Sequence, residues 1–493
     1  MSQESSQKAK TYVMKFGGSS LAGPKEILQS TSLVKKYSAD SKLVVVCSAM
    51  GDTTDHLLTA IDYAKKGKID DARKTVSEMR AEHDAAIEQT ITDQHVKEES
   101  KLWIADKFEE MDKVLLGISL LRDLSPRSLD YFLSFGERLA AFIVSNSLAS
   151  TGLKTKYLTG GEAGIVTDEA FGSAEPVMKA TNERLKASLT PLLKDRVVPV
   201  VTGFIAETLE THEMITLGRG GSDYTATLIA SAIEADEVIL WTDVDGILSA
   251  DPKIVKNAHI VDQITYLEAM EMSAFGAKAM QPRALEPAAK KGIAVRIRNT
   301  FNPDVAGTLI VSPNKVVNGV KMGVKSVGSI TNVGIINISG TSIVGRPGTA
   351  VKIFEILKDL EVGILMMSQS VSENNVSLVI RRDALAKVVR AFRKELLGED
   401  VDSEEALQRR SSNTKFSTLD YEDDVSIVAV LGKGMIGTPG IAGRVFSTVA
   451  KQGINIRMIA QGSSEINISF VIKDKDRNRA VTALHEEFGL GSR

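Results

Sequence analysis

The sequence predicts an α/β protein with a mostly parallel, open sheet between helical layers, followed by two smaller α+β units of ferredoxin-like topology. Apolar segments typical of strands alternate with helical patterns over about the first 300 residues, as expected when helices join parallel strands. One of these segments, residues 197–204, is nearly all apolar, which is typical of a strand covered on both faces. The remainder of the chain repeats itself at a constant offset of 92 residues, which indicates two copies of one unit.

The composition is that of a globular protein with several domains. The 493 residues exceed the size of one ordinary hydrophobic core. Hydrophobic residues make up 43% of the chain and charged residues 25%, and the net charge is -3. Because there is no overall basic charge, nucleic acid is not an expected partner. The N-terminus is polar and no segment has the roughly 18 apolar residues of a membrane span, so we expect a cytoplasmic protein without a membrane partner.

Residues that commonly bind metals are not grouped in the sequence. The six histidines are scattered, so we expect no metal site built from protein side chains. The single cysteine, Cys47, ends an apolar segment, and a buried thiol at a strand end is favoured over a nucleophile.

The first predicted strand carries Lys15 near its end and leads into Gly17, Gly18 and Ser19. The strand, tight loop and helix combine backbone donors, hydroxyl groups and one ammonium group, which favours a phosphate contact. The pattern is not a Walker P-loop, in which the lysine follows the glycines. The alternative is a solvated lysine beside an ordinary turn.

The second predicted strand, residues 43–47, leads into a small polar loop that includes Ser48 and Thr54. Loops of this kind at strand ends bind ligands in open α/β sheets. Apolar residues at helical spacing then predict two or three surface helices over residues 55–124.

A longer helix is predicted over residues 128–150, where Glu137 and Arg138 stand side by side among apolar residues. The default interpretation is a solvated or structural ion pair. Glu137 becomes a ligand candidate only if the start of the helix points at the site.

Residues 215–224 are the most informative stretch, because three glycines and Arg219 lie where an apolar strand meets a helix. Glycines bring backbone N–H groups close to an anion, and Ser222 or Asp223 is predicted to cap the helix. The N-terminus of such a helix favours phosphate or carboxylate. An ordinary strand-to-helix turn is the alternative.

Other predicted strands also end in polar or glycine-rich segments. The strands lie at residues 156–158, 238–241 and 293–298. A glycine-rich connection follows the first, Thr242 and Asp243 follow the second, and Lys278 lies at a glycine turn before the third. Several strand-end loops with glycines and polar or charged side chains favour one shared ligand site more than any single motif does.

Four motifs together closely resemble those of the aspartate kinases of the amino-acid kinase family. They are Lys15-Phe-Gly-Gly-Ser-Ser, Ser134-Phe-Gly-Glu-Arg-Leu, Thr216-Leu-Gly-Arg-Gly-Gly-Ser-Asp and Trp241-Thr-Asp-Val-Asp-Gly. The resemblance covers essentially the whole chain after its first ten residues. It implies the amino-acid kinase fold and the ATP-dependent phosphorylation of the β-carboxylate of L-aspartate, the first step towards lysine, threonine, methionine and isoleucine.

The resemblance also implies which residues bind the substrates. The expected ATP contacts, with Mg²⁺ carried on the nucleotide, are Lys15, Gly17, Gly18, Ser19, Thr242, Asp243, Lys253 and Lys278. The expected L-aspartate contacts are Ser48, Thr54, Glu137 for the ammonium group, Arg219 for a carboxylate, and Asp223. Lys15, Asp223 and Lys278 are expected to be catalytic. The chain departs from the family at Leu248 and Lys253, where the family often has Tyr and Arg, and after Lys278, where Ala-Met-Gln-Pro replaces Val-Leu-His-Pro.

The repeat relates residues 333–380 to residues 425–472 without a gap, with Gly340 matching Gly432 among other identities. Each copy resembles an ACT domain, which implies binding of a feedback amino acid, threonine or lysine. Paired ACT domains also imply a homo-oligomer that is at least a dimer. The expected effector contacts are Ile343, Gly348, Ser368, Gln369 and Gln461.

The expected domains are a kinase domain at 11–306, a connector at 307–328, an ACT domain at 329–400, a linker at 401–422 and a second ACT domain at 423–493. The connector is expected to add a strand to the regulatory part. The charged, serine-rich stretch between the two copies is interpreted mostly as a surface connector, with a short helix or strand that completes the first copy left open. No fused homoserine dehydrogenase is expected.

Two other functions compete with an allosteric aspartate kinase. The first is another amino-acid kinase, acting on glutamate or acetylglutamate, which would not be expected to carry two ACT repeats. The second is an amino-acid sensor with an inert kinase half, which predicts the loss of Lys15, Arg219 or Asp223. All three residues are present.

Overall fold

The computed structural model describes residues 9–275, 280–315, 323–340, 349–369, 375–398, 411–414, 417–462 and 464–491. The chain forms two compact units. The first comprises Met1–Ile247, Asp262–Met270 and Lys278–Asn318, and the second comprises Leu248–Val261, Glu271–Ala277 and Gly319–Arg493. Across the described residues, no helix has the length and apolar character required to cross a membrane.

The first unit alternates strands and helices, as the sequence predicts. Its strands are β1 Thr11–Phe16, β2 Lys42–Cys47, β3 Thr155–Leu158, β4 Val166–Thr167, β5 Val198–Thr202, β6 Ile205–Thr208, β7 Met214–Thr216, β8 Glu237–Thr242, β9 Gln263–Thr265, β10 Ala294–Asn299 and β11 Thr308–Val311. The helices between them are α1 Pro24–Ser38, α2 Thr53–Lys65, α3 Ile69–Thr90, α4 Gln94–Leu121, α5 Pro126–Ser150, α6 Gly160–Ala163, α7 Met178–Lys194, α8 Gly221–Ile233, α9 Tyr266–Ala274 and α10 Pro282–Lys291.

The main sheet confirms the predicted mostly parallel architecture. Within the described chain it has eight strands in the order β3-β5-β2-β1-β8-β10-β11-β9. Every neighbouring pair is parallel except β10 and β11. Because β5, β2, β1 and β8 are parallel neighbours, the loops that follow them lie at one edge of the sheet, which is where open α/β sheets bind ligands.

Residues 53–121 form three helices, α2, α3 and α4, in agreement with the predicted two or three. They are not only a surface layer. Leu57, Met79 and Ile104 are fully buried and belong to the same apolar cluster as Met14 and Val45 of the sheet. Cys47 is buried at the end of β2, as predicted.

A second, smaller sheet was not predicted. It has three strands in the described chain, in the order β4-β6-β7, and its last strand leads directly into the glycine-rich loop before α8. Its strands have two to four residues, too few to establish a hydrophobic period in the sequence.

The second unit contains both repeats. Its elements are β12 Ser326–Gly340, α11 Thr349–Asp359, β13 Met366–Gln369, β14 Asn375–Arg381, α12 Arg382–Phe392, β15 Ser411–Thr414, β16 Ser417–Leu431, α13 Ile441–Lys451, β17 Met458–Gln461, β18 Asn467–Lys473 and α14 Arg477–Glu487. The described strands form one seven-stranded sheet in the order β13-β14-β12-β16-β18-β17, with β15 paired to β16.

The two repeats share their central strands. The start of β12, from Ser326 to Ile330, pairs with the end of β16, and the rest of β12 pairs with β14 and with the start of β16. A register irregularity separates the two parts of β12, where Asn332 has a φ of 55°. Each repeat is therefore completed by a strand segment that lies next to the other repeat in the sequence. Ser326–Ile330 begins in the predicted connector, and the start of β16 is a strand in the stretch where a short helix or a strand was left open.

The segment Leu248–Val261, which follows β8, belongs to the second unit. Ala250 and Val255 pack with Val445 and Leu484 in one apolar cluster. Ser249 Oγ lies 2.9 Å from Nε2 of His485, and both side chains are fully buried. Leu248–Val261 is therefore part of the hydrophobic core of the second repeat.

Candidate active site

A cavity of about 310 Å³ lies at the edge of the main sheet where β1 and β2 end. Its walls come from the end of β1, the loop after β2, the middle of α5 and the loop between β7 and α8. Seven of the predicted ligand residues line it: Lys15, Gly18, Ser48, Thr54, Glu137, Arg219 and Asp223.

Lys15 and Asp223 form an ion pair inside this cavity. The Nζ of Lys15 lies 2.6 Å from Oδ1 of Asp223, and the two side chains are only 15% and 18% exposed. The prediction that Ser222 or Asp223 caps α8 is wrong. The helix begins at Gly221, its cap is Gly220, and no side chain bonds to its free N–H groups. Gly220 adopts the left-handed φ of 74° that glycine tolerates best, and Asp223, already inside the first turn, turns to Lys15 instead.

The loop after β1 approaches the loop after β2 closely. The backbone N–H of Gly51 donates to the carbonyl of Gly18 at 3.1 Å. A Cβ on Gly18 would lie 3.0 Å from the carbonyl oxygen of Gly51, so a larger residue would push the two loops apart. The N–H of Gly17 donates to the carbonyl of Trp241 at 3.2 Å, which holds this loop against the end of β8.

Glu137 reaches the cavity from the middle of α5, not from its start. Its carboxylate accepts a hydrogen bond from the backbone N–H of Ala49 at 3.2 Å, and the side chain is buried. Burial raises the pKa of Glu137 to about 8, although the Ala49 hydrogen bond and the charge of Lys15 act in the opposite direction. Gly136 allows this approach, since a Cβ there would lie 2.9 Å from Cβ of Ala49.

Glu137 and Arg138 do not form the expected ion pair. Consecutive residues of a helix point about 100° apart, so Arg138 faces away from the cavity. Its guanidinium lies 3.7 Å from Glu110 and packs 4.7 Å from the centroid of the Phe135 ring. Arg138 is therefore part of the packing of α4 on α5, and Glu137 is left available to a ligand.

Arg219 is the exposed cation of the cavity. It lies between Gly218 and Gly220, both of which have positive φ values. Its side chain forms no ion pair with any residue that the structure describes. The cavity thus combines a buried carboxylate, a lysine that already has a partner and an exposed guanidinium, a charge arrangement that suits an amino acid with a second acidic group.

Comparison with known proteins is consistent with this arrangement. Residues 10–299 match the amino acid kinase family, and residues 336–396 and 428–488 match the ACT domain. Aspartokinase 1 of Arabidopsis thaliana, a chloroplast protein, is 31% identical over 489 residues, which cover 98% of this chain and 81% of the relative. The chain belongs to the aspartokinases. The aspartokinase of Mycobacterium bovis is 32% identical over 97% of this chain and 96% of its own length.

Solved aspartokinases share the whole fold. Escherichia coli aspartokinase III in complex with aspartate and ADP, described as the R-state, superposes with a TM-score of 0.76 at 26% identity, over 97% of this chain and all of that one. The same protein in complex with lysine and aspartate, described as the T-state, gives a TM-score of 0.78 over 97% of this chain and 99% of that one.

The other predicted ATP contacts of this aspartokinase lie in different places. Thr242 ends β8, where its hydroxyl donates to Oδ1 of Asp243 at 3.1 Å, and Ser19 is exposed in the turn after β1. Lys253 is exposed and belongs to the second compact unit. Lys278 lies outside the described residues.

The predicted effector contacts are described only in part. Ser368 and Gln369 lie at the end of β13, and Gln461 lies at the end of β17, the equivalent strand of the second repeat. Both glutamines are exposed. Ile343 and Gly348 lie outside the described residues.

Two residues escaped the sequence argument: Phe204 of the aspartokinase site and Asp130 on the helix that carries Glu137. Phe204 lines the cavity and has a positive φ of 65°, unusual for a bulky side chain. Its position just after the apolar strand β5 and Gly203 is the signal that could have indicated it. Asp130 carried no signal in the sequence, because its partners lie 42 and 86 residues away.

Proposed function

We propose that this chain transfers the γ-phosphoryl group of ATP to the β-carboxylate of L-aspartate, giving 4-phospho-L-aspartate and ADP. The observation that carries the proposal is the presence of Glu137, Arg219 and Lys15 around one cavity. Glu137 matches the α-ammonium group of the substrate and Arg219 matches its α-carboxylate. Lys15 is then available to contact the reacting phosphate.

Glu137 holds the ammonium group of L-aspartate in this proposal. A buried carboxylate without a cationic partner is unfavourable, so an amino acid is preferred over a dicarboxylate that lacks the amine. Arg219 binds a substrate carboxylate, for which the planar guanidinium is suited. Ser48, Thr54 and Asp223 complete the amino-acid site, with the hydroxyl groups as hydrogen-bond donors.

The reaction needs alignment and positive charge more than a base. The β-carboxylate is ionised at neutral pH. One of its oxygens forms a bond to the γ-phosphorus while the bond from that phosphorus to the β,γ-bridging oxygen breaks, and the electron pair leaves with ADP. Lys15, with Lys278, stabilises the charge that builds up on the transferring group. Asp223 orients Lys15 through the 2.6 Å ion pair.

The nucleotide is proposed to bind along the ends of β1 and β8. Gly17, Gly18 and Ser19 contact the phosphates, Thr242 and Asp243 line the nucleoside, and Lys253 is a further contact. Mg²⁺ carried by ATP would neutralise charge on the β- and γ-phosphates. No group of three His, Cys, Asp or Glu side chains that could hold a metal ion occurs among the described residues.

The ACT domains are proposed to bind an end-product amino acid, threonine or lysine. The proposed contacts are Ser368, Gln369, Gln461, Ile343 and Gly348. Such an effector inhibits by binding one conformation of the enzyme more tightly than the other. E. coli aspartokinase III has been solved with lysine, which supports an effector of this class.

Several broader assignments belong to the same proposal. The kinase domain spans 11–306 and the ACT domains 329–400 and 423–493, with 307–328 and 401–422 as connectors. The enzyme acts in the cytoplasm as a homo-oligomer, at least a dimer formed through the ACT domains.

The proposal is tested by following acyl phosphate formation directly. The purified chain is incubated with ATP, Mg²⁺ and L-aspartate, and the product is trapped with hydroxylamine as the hydroxamate. We expect hydroxamate that depends on both ATP and L-aspartate, and that is lost when EDTA removes the divalent cation. Folded protein that makes no hydroxamate under these conditions would overturn the proposal in favour of an amino-acid sensor.

A further inference from the structure

We propose that Asp130 is a positioning residue that sets the separation between Glu137 and Arg219, the two residues that bind the α-ammonium and α-carboxylate groups of L-aspartate. This inference rests on the proposed function. Asp130 lies on α5 and is 2% exposed. It precedes Glu137 by seven residues, so the two carboxylates lie on the same face of the helix, about 10 Å apart along its axis.

Both carboxylate oxygens of Asp130 have partners on other elements. The hydroxyl of Thr216 donates to Oδ1 at 2.7 Å, and the backbone N–H of Gly172 donates to Oδ2 at 3.0 Å. Thr216 is the last residue of β7 and precedes Arg219 by three positions. One buried carboxylate therefore connects the helix that carries Glu137 to the strand that leads into the Arg219 loop.

The strand end before the Arg219 loop is held by the pairing of β7 with β6 and by the hydrogen bond from the N–H of Leu217 to the carbonyl of Phe204 at 2.8 Å. The Asp130–Thr216 contact joins this strand end to the helix that carries Glu137. β7 has three residues, and the glycines on both sides of Arg219 leave its backbone adaptable. A buried carboxylate that loses a hydrogen-bond partner is destabilised, so the Asp130–Thr216 contact strongly favours one position of the strand end.

The consequence concerns the binding of L-aspartate. Its α-ammonium and α-carboxylate groups are attached to one carbon, so Glu137 and Arg219 bind both only when they are held at one separation. If Asp130 fixes that separation, loosening it weakens the binding of L-aspartate. The contacts proposed for ATP lie in other loops, so the binding of ATP is not affected.

The chain offers a matched control for this contact. Arg127, at the start of α5, forms an ion pair with Glu213, which immediately precedes β7. This pair joins the same two segments, but the arginine is 64% exposed. Exposed pairs of this kind contribute little, so removing it should leave the substrate site unchanged.

The experiment compares four variants with the wild type in the hydroxamate assay. Thr216→Val removes the hydroxyl, Asp130→Asn removes one acceptor with little change of shape, Thr216→Ser keeps the hydroxyl, and Arg127→Ala removes the control pair. For Thr216→Val and Asp130→Asn we expect KM for L-aspartate to rise roughly tenfold or more and KM for ATP to stay within about twofold. Thr216→Ser and Arg127→Ala should resemble the wild type.

A merely structural role gives a different result. Thr216→Val and Asp130→Asn would then lower the melting temperature, while KM for L-aspartate of the folded fraction would stay at the wild-type value, and this would overturn the proposal. Asp130→Asn decides the matter if Thr216→Val does not fold. A wild-type enzyme without activity on L-aspartate would instead refute the proposed function, and this inference with it.

Discussion

The ammonium group of Lys15 lies 2.6 Å from the carboxylate of Asp223, an ion pair that joins the end of β1 to the first turn of α8. The two residues are separated by more than 200 positions in the sequence. Because the pair is largely shielded from solvent, it holds Lys15 in one orientation towards the cavity that Glu137 and Arg219 also line.

Replacing Lys15 should remove most of the catalytic rate. We expect Lys15→Ala to lower kcat by about two or more orders of magnitude, because the positive charge next to the transferring phosphate is lost. Lys10→Ala, which changes an exposed lysine just before β1, is the control and should keep normal activity. Circular dichroism would establish that both variants are folded. Near-normal kcat for Lys15→Ala would exclude the assigned role.

The activity should depend on pH through Glu137. Burial raises the pKa of this carboxyl to about 8, so it is protonated below that pH in the free enzyme and ionised above it. Only the ionised form pairs with the substrate ammonium, so kcat/KM for L-aspartate should rise by about tenfold per pH unit from pH 6 towards 8. Glu137→Gln should have a low kcat/KM without this dependence.

The same substitution gives a second test of the pKa. When the pKa of a carboxyl group is raised in the folded state, the folded protein loses stability as pH rises from the pKa of that group in the unfolded chain towards about 8. Thermal unfolding should therefore show Glu137→Gln gaining stability relative to the wild type over that interval. A wild-type kcat/KM that is flat between pH 6 and 8, with no such gain for the variant, would show that Glu137 is ionised throughout.

The effector site should respond to changes at the ends of β13 and β17. Gln369 and Gln461 are equivalent, exposed residues of the two repeats. We expect Gln369→Ala or Gln461→Ala to raise the concentration of threonine or lysine that gives half inhibition and to leave uninhibited activity largely intact. Inhibition curves that are the same for both variants and the wild type would place the effector elsewhere.

The second repeat should be destabilised by changes in Leu248–Val261. Val255 is buried in the same apolar cluster as Val445 and Leu484, so Val255→Ala should lower the free energy of unfolding of this unit by roughly 1–3 kcal/mol. Lys256→Ala, an exposed neighbour, should change it by less than about 0.5 kcal/mol. Hydrogen exchange in β16 and β18 would measure both. Unchanged protection in Val255→Ala would mean that the segment does not contribute to this core.

The features that follow from local sequence were predicted well. Apolar runs and the glycine-rich segments after them predicted six of the eight described strands of the main sheet and the loops at its edge, but not β9 or β11, which lies in the predicted connector. Lys15 and Arg219 were predicted to line the site because they lie next to those loops in the sequence. The repeat, with Gly340 matching Gly432, indicated two copies because identity at a fixed offset does not require knowledge of any contact.

The features that depend on distant contacts were missed or wrong. Glu137 and Arg138 are neighbours in sequence, yet they point in different directions from α5 and their partners come from different elements. Asp223 has the chemistry of a helix cap, but Gly220 already ends the preceding turn and Lys15 competes for the carboxylate. The sharing of β12 and β16 by the two repeats likewise depends on pairing across about 100 residues, which no local pattern records.

The measurement that tests the central claim most directly is substrate selectivity. Hydroxamate formation by the wild-type chain is measured with ATP and either L-aspartate or L-glutamate, and then repeated with added threonine or lysine. We predict strong preference for L-aspartate and inhibition by at least one of the two effectors. Equal or greater activity with L-glutamate, or no activity with L-aspartate, would contradict the assignment of this cavity to L-aspartate.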